Sequence, residues 1–314
     1  MIPSRYEPHR LVRRVSGPAF RVACLLATLT GVLVLVVLLG SVLITTVRTD
    51  ESQPWYSSIT NVGGLVSRVR DLSGRLQSTE AGRAGFKAGI AGSLWLLLLV
   101  AGFAIPVGVG AAVFLEEYMP AGRWRRVIQM NIANLAGVPS IVYGILGLAL
   151  FVRAFGAKGV ALGPSLWAGA LTLGLLVLPV IVIATQEALR AVPSSLRQAA
   201  LALGATRWQV VRDHVLPGAL PGILTGTILA LSRAIGETAP LLMVGAAGSI
   251  LRLPRTPSDR YTALPVEIYN YAREPNTAFQ GVAAGGILIL LALLLTMNAA
   301  AILIRNRSGR HAQS

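Results

Sequence analysis

Residues 192–221 read VPSSLRQAALALGATRWQVVRDHVLPGALP, a polar island between two long apolar runs. Leu196, Ala199, Ala200 and Leu203 recur at i, i+3, i+4 and i+7, which predicts a short helix with one apolar stripe. Pro193 and Ser194 suit its first turn. Gly204 suits the position just past its end, where a left-handed residue closes a helix and only glycine does so without a Cβ penalty. Thr206 and Gln209 have the spacing of a capping box, so a second short helix is expected to start at once. Trp208, Val211 and Val215 continue its apolar side, and Leu216-Pro217 is expected to end it. The stretch reads as a helix–glycine–helix knob presented by a membrane protein, an ordinary amphipathic interfacial hairpin being the plainer alternative.

The rest of the chain supplies the membrane. Of 314 residues, 54% are hydrophobic and 13% charged, and the mean hydropathy is +0.66. A soluble domain of this length carries far more charge. The net charge of +15 does not point to nucleic acid, because the arginines sit between apolar runs, as membrane topology demands. The single Cys24 lies inside the first apolar run, so no intrachain disulfide exists; it reads as lipid-facing or packed.

In chain order, residues 1–21 form a basic N-terminal segment with Arg5, Arg10, Arg13, Arg14 and Arg21. Residues 22–47 carry no charge and suffice to cross about 30 Å of hydrocarbon. They exceed a signal-peptide core and lack a small-residue cleavage site, so they are read as the first membrane helix. Residues 48–87 are a polar loop with Asp50, Glu51, Asp71 and Glu80 and no sign of a core of their own. Further apolar runs span 88–115, 127–152, 159–186 and 217–251, the last interrupted by Arg233 and Glu237. A polar loop at 252–274, a final apolar run at 275–304 and a short basic tail at 305–314 complete the chain. The expectation is an all-α integral membrane protein with six transmembrane helices. Pro139, Pro179 and Pro221 mark kinks. Asn131, Asn134, Ser140 and Tyr143 are polar groups for hydrogen bonds between helices, or for lining a pathway.

Lys and Arg lean by a narrow margin toward the side holding both termini, the 116–126 loop and the knob, while acidic residues and the longer loops collect on the other. The first side is therefore read as cytoplasmic. Arg233 and Glu237, at i, i+4, are expected on one face of one helix, with Gly236 and Pro240 bending the chain there. Charge inside a bilayer is costly, so the pair should face protein or a wet path. It reads either as a structural ion pair or as an anion station, since a guanidinium matches an oxyanion with two donors. Glu116 and Glu117 read as helix-end capping or interfacial solvation, with contact to the knob or an ATPase as the alternative. His214 reads as an interfacial residue.

Gln198-Ala199-Ala200, Gly204 and Leu216-Pro217 resemble the EAA loop of permease subunits in binding-protein-dependent ABC importers. Gln198 stands where Glu is usual there, and His214 where an aliphatic residue is usual. Phe114-Leu115-Glu116-Glu117-Tyr118, the stretch from Gly137 to Gly144 and the stretch from Ala234 to Leu242 resemble the A-type permease subunits of phosphate-specific ABC importers. Together the resemblance covers about residues 88–304. It implies a permease domain there with the type I ABC importer (MetI-like) fold, in a multi-pass protein of the cell membrane with both termini cytoplasmic. It implies that Gln198, Ala199, Ala200, Gly204, Leu216 and Pro217, within a loop at 192–217, couple to a cytoplasmic ATPase. It implies Arg233 and Glu237 on the phosphate path. The partners it implies are a homologous C-type permease, two copies of the ATP-binding subunit, an extracytoplasmic phosphate-binding protein and membrane lipid, with no nucleic acid. ATP and Mg would reside on the ATPase, and no cofactor on this chain.

The chain carries no G-x-x-x-x-G-K-[ST] loop, so it is not the ATP-hydrolysing subunit. It has no H-E-x-x-H, no Cys/His cluster and no nucleophile elbow. A membrane enzyme would have only Arg233/Glu237 or Glu116/Glu117 to work with. A secondary transporter or channel would have no use for the knob. Sulfate or molybdate stays the alternative substrate.

Overall fold

The computed structural model describes residues 10–47, 62–154, 162–246 and 252–311, and every regular element among them is helical. In hydrocarbon a backbone must bond to itself, so apolar runs close as helices. Five helical stretches are long and apolar enough to cross a membrane: Phe20–Thr46, Lys87–Tyr118, Leu166–Arg190, Arg207–Gly236 and Ala278–Asn306. They belong to α1 (Arg10–Val47), α3 (Lys87–Val113), α6 (Leu166–Arg190), α9 (Leu216–Gly236) and α12 (Ala278–His311). Arg5, Asp50, Glu51, Lys158 and the final three residues lie outside the described residues, as does the end of the expected fifth run at Leu251.

The sixth expected span departs from a straight helix. Residues 127–152 divide between α4 (Arg123–Ala136) and α5 (Ser140–Gly147), bent against each other by 99°. Pro139 has no N–H to continue the ladder and forces Val138 out of the helical region, so the break falls where the sequence reads Gly137-Val138-Pro139. Tyr143 OH then donates across the corner to Leu135 O at 2.9 Å and holds the angle. Asn131 stays within its own helix, donating to Val127 O at 2.8 Å. Counted as one broken span, the pair brings the total to six.

Helices α3, α6 and α9 form the centre. Contact between α6 and α9 is made by small side chains one turn apart, Ala184 and Ala188 against Gly222 and Gly226. A Cβ on Gly222 would stand 2.7 Å from Ala188 Cβ, and one on Gly226 would overlap Ala184. Close approach of backbones is how helices gain dispersion energy where lipid offers no hydrophobic drive. Between α9 and α12, Ser232 Oγ meets Asn298 Oδ1 at 2.6 Å, and Arg305 Nη1 donates to Thr225 Oγ1 at 3.2 Å. Helix α1 lies against α12 and α2, and its side chains from Phe20 to Leu39 are exposed, Cys24 included.

At the end of the bundle remote from the knob, the two stretches expected to be plain polar loops are packed instead. Helix α2 (Val62–Gly74) and α11 (Leu264–Ala272) lie within them. Leu72, Ala84, Phe86, Leu264, Tyr271 and Phe279 form a buried cluster. Phe86 meets Tyr271 edge-on at 5.3 Å, and Tyr271 stacks on Phe279 at 5.5 Å. Leu166 N and Trp167 N at the start of α6 donate to Asp259 O and Pro257 O, so the second loop satisfies donors that a helix start leaves open. Glu267 on α11 is fully buried with its carboxyl against Gly89 of α3, and neither carboxyl oxygen makes a hydrogen bond. Burial pushes that carboxyl up to about 8.

Candidate functional site: the knob and the membrane arginine

The knob forms much as its sequence predicts. Helix α7 (Ser194–Ala202) ends in Leu203 and then Gly204, whose φ of +88° is the left-handed closure that spares only glycine. Ala205 N donates back to Ala200 O at 3.1 Å and closes the turn. Thr206 and Gln209 make both bonds of the capping box at the start of α8 (Arg207–Val210). Leu216-Pro217 does not end this second helix. A π-turn at Val211–Val215 carries α8 straight into α9, and Pro217 falls in the first turn of α9, where a missing N–H costs nothing. Val210, Val211 and Val215 are buried, while Trp208 faces out.

Of the predicted coupling residues, Ala200 is packed into the bundle, Leu216 is half-buried, and Gln198, Ala199, Gly204 and Pro217 are exposed. Leu196, Leu201 and Leu203 are exposed beside them, Leu203 at 89%. The predicted apolar stripe thus faces outward, and only Ala200 of α7 is buried. Exposed apolar patches rimmed by polar residues are found at protein–protein and membrane interaction sites.

Three arginines and two carboxylates meet at the root of the knob, and one of the pairs, Arg197 with Glu117, ties the knob to the bundle. Helix α3 passes through a π-turn at Phe114–Tyr118 that carries Glu116 and Glu117. Glu116 pairs with Arg125 of α4 and accepts from Arg190 Nε of α6 at 3.0 Å. Glu117 accepts from Arg197 Nη2 of α7 at 2.9 Å. Arg197 also donates to Val192 O at 2.8 Å and Leu189 O at 2.7 Å, carbonyls just past and within the last turn of α6. The Glu116 and Glu117 side chains are 8% and 12% exposed. Solvation is therefore not their role: Glu117 contacts the knob through Arg197, as the alternative reading has it, while Glu116 pairs with Arg125 and Arg190 outside the knob. No spacing rule links residues 74 to 80 apart in sequence, so this network was not legible there.

The membrane pair sits at the other end of α9. Arg233 is in its last turn, where a cation complements the helix's negative end. Glu237 is not on the same helix. Its backbone is extended (ψ 117°), beyond the Gly236 terminus, and α10 (Ala239–Val244) begins two residues later with Pro240 in its first turn. The pair forms all the same, Arg233 Nε to Glu237 Oε1 at 3.2 Å. Arg233 is 50% exposed and Glu237 17%. Only Nε is engaged, leaving the two terminal guanidinium nitrogens of Arg233 without a partner among the described residues. Leu216 and Arg233 are joined by one continuous helix and lie about 25 Å apart at 1.5 Å per residue. No group of three or more His, Cys, Asp or Glu suited to a metal occurs among the described residues.

Residues 104–309 match the family described as the binding-protein-dependent transport system inner membrane component. The chain belongs to that family. The matched span holds the knob, the Glu116–Glu117 network and the Arg233–Glu237 pair, while α1 and α2 of this inner membrane component lie outside it. Relatives include the phosphate transport system permease protein PstA 1 of Mycobacterium tuberculosis (strain H37Rv), 37% identical over 224 residues, or 70% of each chain. Another is the phosphate transport system permease protein PstA of Xylella fastidiosa (strain Temecula1), 33% identical over 246 residues, 78% of this chain and 83% of the relative. Among solved structures, a chain of a bacterial alginate ABC transporter in complex with an alginate pentasaccharide-bound periplasmic protein superposes with a TM-score of 0.63 at 16% identity, covering 96% of this chain and 99% of that one. A chain of the MetNI methionine ABC transporter in an inward-facing conformation gives 0.56 at 21% identity, covering 71% and 97%. This inner membrane component therefore has the ABC importer permease fold.

Proposed function

We propose that the chain is the A-type permease subunit of an ATP-driven importer of inorganic phosphate. Its similarity to phosphate transport permeases over more than two thirds of both chains carries this reading. The chemistry at Arg233 agrees with it. A half-exposed guanidinium in a membrane helix cannot face lipid cheaply, so it faces a second subunit and the path between the two. Its terminal nitrogens, without a partner among the described residues, suit an oxyanion, and Glu237 holds the side chain in place through Nε.

The second subunit is a homologous C-type permease, and the path runs between the two. Both termini and the knob lie in the cytoplasm. There, two copies of an ATPase grip the knobs through the exposed leucine face and Gln198, Ala199 and Gly204, with ATP and Mg on the ATPase. An extracytoplasmic phosphate-binding protein delivers the anion to the opposite face. Closure of the ATPases displaces α7 and α8, and the continuous α8–α9 helix carries the movement toward Arg233.

Uptake of labelled phosphate by proteoliposomes holding the whole assembly tests this. ATP-dependent uptake that excess sulfate or molybdate does not compete away is expected. Competition by either would assign the permease to another oxyanion.

A further inference from the structure

We propose that Glu116 and Glu117 act as a positioning clamp at the root of the knob, Glu117 tying α7 to α3 and Glu116 tying α3 to α4 and α6, so that displacement of the knob reaches the path helices. The clamp rests on the reading that an ATPase drives the knob. Helix α7 buries one residue, Ala200, and leaves α6 through the short Ala191–Pro193 link. Packing alone would let such a helix swing about that link. Arg197 prevents this by bonding at once to Glu117 of the α3 extension, to Leu189 O in the last turn of α6 and to Val192 O within the link itself. Glu116 completes the junction by taking Arg190 at the last turn of α6 and Arg125 in the first turn of α4.

Capping does not explain these carboxylates, because they stand at the C-terminal end of α3, where the helix dipole repels negative charge. They are also nearly buried. Charge of the wrong sign, out of water, persists only because three guanidiniums offset it. Replacing such a network by apolar packing often leaves stability unchanged, so stability alone does not account for it. What it supplies is one geometry for four elements at the root of the knob.

The test is the ratio of phosphate imported to ATP hydrolysed by the complete assembly in proteoliposomes. Glu117→Ala is expected to retain the ATPase through purification and to hydrolyse ATP, while importing about tenfold less phosphate per ATP, the loss of one charge-assisted contact. Glu117→Gln, which still offers Arg197 an acceptor, should fall between it and wild type. A second variant, Glu117→Cys with Arg197→Cys in a Cys24→Ser background, is assayed before and after joining by a bismaleimide linker. Joining should raise the ratio toward wild type, and it serves as the readout if Glu117→Ala does not assemble. An unchanged ratio in Glu117→Ala overturns the clamp, as does a linked protein that no longer transports. Gly204→Val separates the two levels: uncoupling there with Glu117→Ala unaffected removes the clamp alone, whereas full coupling in both removes the ATPase-driven knob.

Discussion

Glu267 is a carboxyl with no hydrogen-bond partner, wedged between α11 and the Gly89 backbone at the start of α3. Its folded value, about 8, lies above the ordinary 4.5, so the folded protein holds a proton that the unfolded chain releases. Stability from this group is complete below pH 4.5, declines as pH rises toward 8 at up to about 1.4 kcal/mol per pH unit, and is flat beyond. Tyr271, packed in the adjoining cluster and itself pushed up to about 12 chiefly by burial, stays neutral across that window and does not compete. Thermal denaturation in detergent should therefore show a melting temperature falling from pH 5 to pH 8 in wild type. It should be nearly flat in Glu267→Gln, which keeps the shape and removes the titration. Equal slopes for the two proteins would show that Glu267 is not the group responsible.

At the scale of elements, the α6–α9 seam rests on the close approach of Ala184 and Ala188 to Gly222 and Gly226. Gly226→Leu drives a side chain into Ala184, and overpacking of this size should lower the melting temperature by about 5–10 °C. Gly102→Leu on α3, where a Cβ meets open space, should change it little. Similar melting temperatures for the two variants would mean the seam yields without cost. The elements also show what local sequence conveys. Gly204, the capping box and the Gly137-Val138-Pro139 break announced themselves, because left-handed closure, cap spacing and a missing N–H are properties of a few adjacent residues. Trp208 did not follow its pattern: Val210, Val211 and Val215 form the buried side of this stretch, and Trp208 lies outside it. The Glu237 placement failed too, because i, i+4 spacing implies a shared face only while the helix lasts, and α9 stops at Gly236. Stretches 62–87 and 252–274 read as loops because their buried cluster is assembled from both, and neither has a core alone.

For the molecule as a whole, the candidate site is divided between two ends of one helix: an exposed knob tied to the bundle through Arg197 and Glu117, and an arginine that pairs through Nε with Glu237 and whose terminal nitrogens have no partner among the described residues. The number and order of the apolar runs made the membrane architecture legible from composition. The ion pairs that join α3, α4, α6 and α7 were not, because each depends on tertiary approach. The account stands or falls on Arg233 meeting the transported anion. The most direct test is labelled phosphate uptake by the full assembly carrying Arg233→Gln, with ATPase activity and subunit co-purification followed in the same preparation. Loss of one charge-assisted, two-donor contact predicts uptake reduced roughly 10- to 100-fold with assembly intact. Uptake at the wild-type rate would contradict the account and leave the Arg233–Glu237 pair as a structural tie between α9 and the start of α10.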